Sequence, residues 1–212
     1  MKKNILLLLI LVLGCENNEK QQTAIKNELI KRNKIKNSQT YNINLDSSII
    51  YWTGKKIYKS HNGTLKFYSG NIQVKNDIIV GGEFKVDMNS MLCTDIKKPG
   101  PNQGLINHLK DEDFFNVQDH PFSELKIINS EKKINDEYMF LAELKIKDII
   151  HPITFNGSIN KTKNLYSSNI QIIFDRTLFD IKYGSGKFFE ELGDKAILDE
   201  IELEIKVLTN SN

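Results

Sequence analysis

From Tyr41 to Leu208 apolar and polar residues take turns along the chain, and no other feature limits the fold as much. In DEIELEIKVL (199–208), Ile201, Leu203, Ile205 and Val207 fall on one side and Glu200, Glu202, Glu204 and Lys206 on the other. A period of two marks a strand with one buried face, because successive side chains leave a pleated strand in opposite directions. EYMFLAELKI (137–146) repeats the pattern with Tyr138, Phe140, Ala142, Leu144 and Ile146. PITFNGSI (152–159) carries Ile153, Phe155, Gly157 and Ile159, and GGEFKVDM (81–88) carries Phe84, Val86 and Met88. TLKFYSGNIQV (64–74) offers Leu65 and Phe67, then Ile72 and Val74, with Gly70 marking a bulge or bend between them.

Runs of this kind place eight or nine strands near 41–45, 48–57, 64–75, 78–88, 122–130, 136–147, 151–160, 165–175 and 197–208. Short turns, as at Asn76-Asp77 and Asn135-Asp136, make neighbouring strands antiparallel. Every strand has one apolar face, so those faces must meet. A single curved sheet closed on itself achieves this and removes its own edges. The expected fold is therefore all-β, with interruptions at two places. Residues 95–120 contain one or two short helices between about Asn102 and Phe115, and 176–195 form a loop with a helical turn at 187–192.

The segment before Tyr41 reads differently. Lys2 and Lys3 precede an apolar run, Ile5 to Leu13, that is too short to span a bilayer and has the form of a secretory signal. VLGC (12–15) resembles a bacterial lipobox, which implies cleavage after residue 14 and acylation of Cys15. Residues 16–40 are polar, with six Lys/Arg against three Glu, and read as a tether. The expected organisation is a signal peptide over 1–14, a lipidated Cys15 with its tether to 40, and a barrel domain over 41–212. Such a chain sits in the bacterial cell envelope, held to the membrane by its acyl anchor. Loss of Lys2 and Lys3 brings the formal charge from +2 to about zero, which argues against a nucleic-acid partner. With Cys15 acylated, Cys93 has no cysteine to pair with and is expected to be a small buried residue.

The stretch HLKDEDFFNVQDHPFSEL (108–125) asks whether the domain does chemistry. His108 and Glu112 stand at i and i+4, and His120 follows before Pro121. Neither HExxH nor CxxC is present, so no metal is expected. Asp111, Glu112 and Asp113 are sequence neighbours of the kind usually exposed on a helix, and no P-loop, GxGxxG after a strand or GxSxG elbow occurs. No catalytic residue is assigned. A structural reading fits these residues better: Asp111 or Asp113 caps a short helix, Phe114 and Phe115 plug one end of a barrel, and Pro121 opens a strand.

The same residues resemble the YceI family of bacterial envelope proteins, whose hallmark is a His-Leu pair, an Asp-Phe-Phe and a proline opening a strand. YWTGKKIYKSHNGTLKFYSGNIQV (51–74), GGEFKVDMNSM (81–91) and FDRTLFDIKYG (174–184) are similar to further family segments in the same order. The chain departs from them at Asp180, where a small residue, often glycine, is expected, and at His151-Pro152. The resemblance spans about 41–208. It implies an eight-stranded antiparallel lipocalin-like barrel, located in the periplasm, that encloses an isoprenoid quinone, a prenyl lipid or another long-chain amphiphile without a further cofactor. It also implies a binding protein, not an enzyme.

Phase along the strands selects Phe67, Phe84, Val86, Phe140, Leu144, Phe155, Ile172 and Phe174 as inward residues, with Phe114 and Phe115 over one end. His61, His108 and Arg176 are the polar candidates for a head group. A competing structural reading pairs Arg176 with a loop carboxylate and seats His61 in a turn and Trp52 in the core. Burying ten methylene equivalents is worth roughly 8 kcal/mol before entropy costs, near micromolar binding. The alternation alone equally suits a barrel filled by its own side chains, whose outer face would bind a partner. A hydrolase using His108, His120 and nearby acids on a lipid-like or ester substrate is the remaining alternative. Ligand-carrying barrels can also pair through a face, which leaves a homodimer open.

Overall fold

The computed structural model describes residues 37–210, so the segments expected to be a signal peptide, the acylated Cys15 and most of the tether lie outside the described residues. Among the described residues, nine strands and one α-helix follow in chain order: β1 (Gln39–Asn42), β2 (Ile49–Lys56), β3 (Ser60–Lys75), β4 (Ile78–Cys93), α1 (Pro99–Lys110), β5 (Phe122–Lys132), β6 (Glu137–Ile146), β7 (Ile149–Thr162), β8 (Leu165–Asp175) and β9 (Ile197–Leu208). From β2 to β9 each strand pairs antiparallel with the next, across the long connections as well as the short turns, and β2 pairs antiparallel with β9. That last contact, with Ile50 opposite Ile205 and Trp52 opposite Leu203, closes the ring. β1 takes the second half of the β3 edge that β2 occupies in its first half, Tyr41 facing Ile72. β1 and β2 thus share one strand position, and the ring has eight.

The predicted inner faces are the buried ones. Tyr138, Phe140, Ala142, Leu144 and Ile146 of β6 are all buried, while Glu137, Met139 and Glu143 between them are exposed. One hydrophobic core runs from Tyr41 to Val207 within the described residues. A chain beginning at Glu16 therefore keeps all of it.

The ring has two unlike ends. The hairpin end collects the β3–β4, β5–β6 and β7–β8 turns. Asn76 and Asp77 there have φ of 51° and 61°, and Asn135 and Asp136 have 58° each, the left-handed backbone that Asn and Asp accept most readily after glycine. The helical end carries the β2–β3 turn, α1 with its flanking segments, the β6–β7 turn and the β8–β9 connection.

Several local expectations change. α1 runs over Pro99–Lys110, not to Phe115, and begins with proline at its first turn, where a missing N–H costs nothing. Asp111 does not cap its start. It ends the helix, donating its backbone N–H to the Asn107 and His108 carbonyls, and its Oδ1 accepts from Glu112 N–H at 2.9 Å. No helical turn forms at 187–192; short 3₁₀ turns form instead at Arg176–Phe179 and Gly193–Lys195. Asp180, which ends the first of these, has φ 57°, which accounts for a small residue being expected there. β3 begins at Ser60, so His61-Asn62-Gly63 lies in a strand, and β4 continues to Cys93 beside it. The bend expected near Gly70 is a register shift between Phe67 and Ser69.

Gly63 permits the β3–β4 approach. A Cβ at this position would stand 1.7 Å from the Leu92 carbonyl oxygen and 2.7 Å from Trp52 Cζ2. Gly63→Ala should destabilise the barrel by about 2–3 kcal/mol or more in urea denaturation. A loss under about 0.5 kcal/mol would show that the two strands separate without difficulty.

Candidate ligand-binding site

Inward side chains do not fill the ring. Inside it lies an almost wholly apolar cavity in which the centre of a water-sized sphere has about 140 Å³ to move. All space between its wall atoms, open end included, amounts to about 1090 Å³. A single water needs about 10–15 Å³ by the first measure, and an apolar void of this kind stays dry. The cavity reaches the helical end, where Leu109 of α1 and Phe115 line it. A second pocket of about 30 Å³ lies toward the hairpin end, against Ile79, Phe140, Ile159 and Tyr166. Aromatic rings gather there: Tyr138 and Phe140 stack with centroids 5.6 Å apart, and Tyr41 and Tyr166 meet edge to face at 4.9 Å.

Of the residues selected by phase, Phe67, Phe84, Val86, Phe115, Leu144, Phe155, Ile172 and Phe174 line the larger cavity. Phe140 lines the smaller one. Phe114 does not line either; it packs against His108 and Tyr183, with centroids 5.0 and 5.4 Å away. Ile201, Leu203, Ile205 and Val207 of β9, outside that inward set, also form a wall of the cavity. Their alternation is the plainest in the chain and is the signal that identifies them. Trp52, assigned to the core, is both buried and part of the cavity wall.

The polar head-group candidates lie elsewhere. Arg176 is 1% exposed, and it donates to the carbonyls of Ile181 at 2.8 Å, Ile197 at 3.1 Å and Leu198 at 3.2 Å. Asp199 Oδ1 stands 3.4 Å from its Nη2. Burial pushes its pKa down, and Asp199 and Asp175 pull against that shift. Its donors are thus committed to fastening the β8–β9 connection, and none lines the cavity. His61 Nδ1 is 2.8 Å from Asp95 Oδ2. Asp95 Oδ1 also accepts from Asn62 N–H at 3.0 Å and from the buried Cys93 thiol at 3.2 Å. Burial pushes the Asp95 carboxyl up, but the hydrogen bonds from Asn62, His61 and Cys93 outweigh it and hold the pKa at about 2.

The 108–120 segment does not converge. His108 Nε2 stands 3.5 Å from Asp113, not Glu112, while His120 Nδ1 stands 3.6 Å from Asp148. Among the described residues no three His, Cys, Asp or Glu are placed to hold a metal, and no helix is long and apolar enough to cross a membrane.

An eight-stranded antiparallel ring around an apolar interior defines a lipocalin-like barrel. The chain belongs to the YceI-like domain family, whose model matches residues 41–208. Among solved structures, BcnA of Burkholderia cenocepacia superposes with a TM-score of 0.65 at 14% identity, over 79% of this chain and 99% of that one. A polyisoprenoid binding domain from Saccharophagus degradans, implicated in plant cell wall breakdown, gives 0.57 at 10% identity, over 81% and 98%. The Campylobacter jejuni YceI protein gives 0.52 at 16%, over 69% and 84%. At such identities the likeness is one of fold. No curated protein matches the chain in sequence.

Two variants test the polar fastenings. Arg176→Met leaves three carbonyls without this donor and Asp199 with Lys187 alone, and should cost about 3 kcal/mol or more in chemical denaturation. Asp95 has its ordinary value near 3.8 when unfolded and about 2 when folded. Its carboxylate therefore adds stability above the unfolded value, and this is lost as pH falls toward 2. The stability difference between wild type and Asp95→Asn should shrink between about pH 5 and pH 2; a constant difference would refute the assignment.

Proposed function

We propose that the barrel holds a long isoprenoid lipid, a quinone or prenyl lipid, or an amphiphile of similar length. The apolar cavity beside Trp52 and Phe155 carries this reading, because its wall offers methylene contact and almost no polar partner. Membership in the YceI-like family supports it, as does a fold neighbour described as polyisoprenoid binding. Affinity then comes from buried hydrocarbon and rises with chain length, about tenfold for every two methylenes. The protein acts as a carrier, store or protectant of the lipid, and performs no reaction on it. It resides in the bacterial cell envelope, facing the periplasm, on an acyl anchor at Cys15.

Trp52 is the one tryptophan of the chain and stands on the cavity wall. A chain beginning at Glu16 should show saturable quenching of its fluorescence by an isoprenoid quinone, with a Kd near micromolar. Val86→Phe, which fills part of the void, should weaken this about tenfold. The absence of saturable quenching, together with no lipid in an organic extract of protein purified without detergent, would sink the reading.

A further inference from the structure

The helical end carries an apolar surface that the cavity does not require. Ile57, Tyr58, Leu178, Phe188, Phe189 and Leu198 are exposed there, Tyr58 at 83% and each phenylalanine at 49%. The hairpin-end loops expose Leu45 and Ile134 and, among the described residues, no large aromatic side chain. These exposed side chains at the helical end stand on connected backbone. Lys56 pairs with Ile197, which sets the 57–59 turn beside the start of β9. Ile197 N–H donates to the Gly184 carbonyl at 2.8 Å, and Phe188 and Phe189 both donate to the Ser185 carbonyl.

The loop is also fastened. Lys187 Nζ lies 2.6 Å from Asp175 and 3.3 Å from Asp199, and Arg176 secures the strand beyond. Two adjacent phenylalanines are thus held outward by a polar framework beneath them. Cations flank the apolar residues. KKIYK (55–59) sets Ile57 and Tyr58 between Lys56 and Lys59, Lys55 being paired with Glu202, and Lys182 Nζ, paired with Asp180, lies 5.2 Å from the Phe188 ring centroid. The loop's other acids, Glu190, Glu191 and Asp194, come after the phenylalanines, and Lys56 and Lys59 keep the 57–59 turn basic. Aromatic side chains bordered by lysine suit the headgroup layer of a bilayer, with rings at the apolar boundary and ammonium groups among anionic phosphates. A second copy docked rim to rim about a two-fold axis would instead bring like lysine-rich turns toward each other.

We propose that the helical end is a docking surface for a lipid bilayer. Turn 57–59 and Phe188-Phe189 enter the headgroup layer, so that the cavity's end at Leu109 and Phe115 is presented to the membrane. The purpose of this surface rests on the lipid-holding reading, whereas its geometry rests on the exposed side chains.

The test uses the chain beginning at Glu16, free of any anchor, with vesicles of phosphatidylglycerol and phosphatidylethanolamine. Wild type should float with the vesicles, and the double variant Phe188→Ser, Phe189→Ser should lose at least tenfold in bound fraction with its melting temperature kept. In a Trp52→Phe background, a reporter at Phe188→Trp should be quenched by brominated acyl chains, and one at Ile134→Trp should not. Failure of wild type to float, flotation indifferent to the double variant, or stronger quenching at position 134 would each overturn the proposal. So would a wild-type dimer that the same double variant dissolves without any vesicle binding. Quinone titration of Trp52 without vesicles reads the cavity separately, so failure of the docking surface and failure of the lipid-holding reading remain distinguishable.

Discussion

The width of an eight-stranded ring is set by its strand count, and everything inside must fit that width. Side chains alone decide whether such a ring is solid or hollow. Here the answer changes along its length. Near the hairpin end, rings pair as Tyr41 with Tyr166 and Tyr138 with Phe140, and the space left there is only about 30 Å³. Toward the helical end, Ile, Leu, Val and Met share the wall with fewer stacked rings and leave a void. One continuous inner face thus yields a closed base and an apolar chamber without any change of fold.

The chamber creates a difficulty at its helical end. Long connections cross there over apolar surface, and their carbonyls need donors that an apolar wall does not supply. Two side chains meet the need: Arg176 serves the carbonyls of residues 181, 197 and 198, and Asn102 Nδ2 donates to the Cys93 and Ile96 carbonyls at 2.9 and 2.8 Å. Asp95 complements them as an acceptor, gathering His61, the Asn62 N–H and the Cys93 thiol. Polar residues of the sort that elsewhere signal chemistry are here the fastenings of an apolar mouth.

The strands were legible because their sequence alternation mostly matches one buried face, as in β6; in β4 burial departs from it, running unbroken over residues 79–82 and stepping by three from Met88 to Met91, where the register against β3 slips. The helix end was less legible. LKDEDFF has ordinary helix propensity, but the chain turns at Asp111 so that Phe115 reaches the cavity while Phe114 packs on Tyr183, two destinations that one continuing helix would not serve. Alternation in sequence marks lining residues on every long strand, β9 included, whose Ile201, Leu203, Ile205 and Val207 all face the cavity. A carboxylate partner for Arg176 was legible, and Asp199 at the start of β9 supplies it, but the three carbonyls it serves and the Asp95 partner of His61 were not, because the fold brings them near from unmarked positions.

The pairing of Ile50 with Ile205 joins segments from opposite ends of the domain. Hairpin contacts between consecutive strands cost little loop entropy and can form early, but this one must wait until almost the entire domain is available. Until β9 arrives, the other strands make at best an open sheet with two unpaired edges and an exposed apolar face. The barrel is therefore expected to fold slowly and all at once near the end, and a chain cut short before β9 would be a template for edge-to-edge aggregation instead of a smaller working domain.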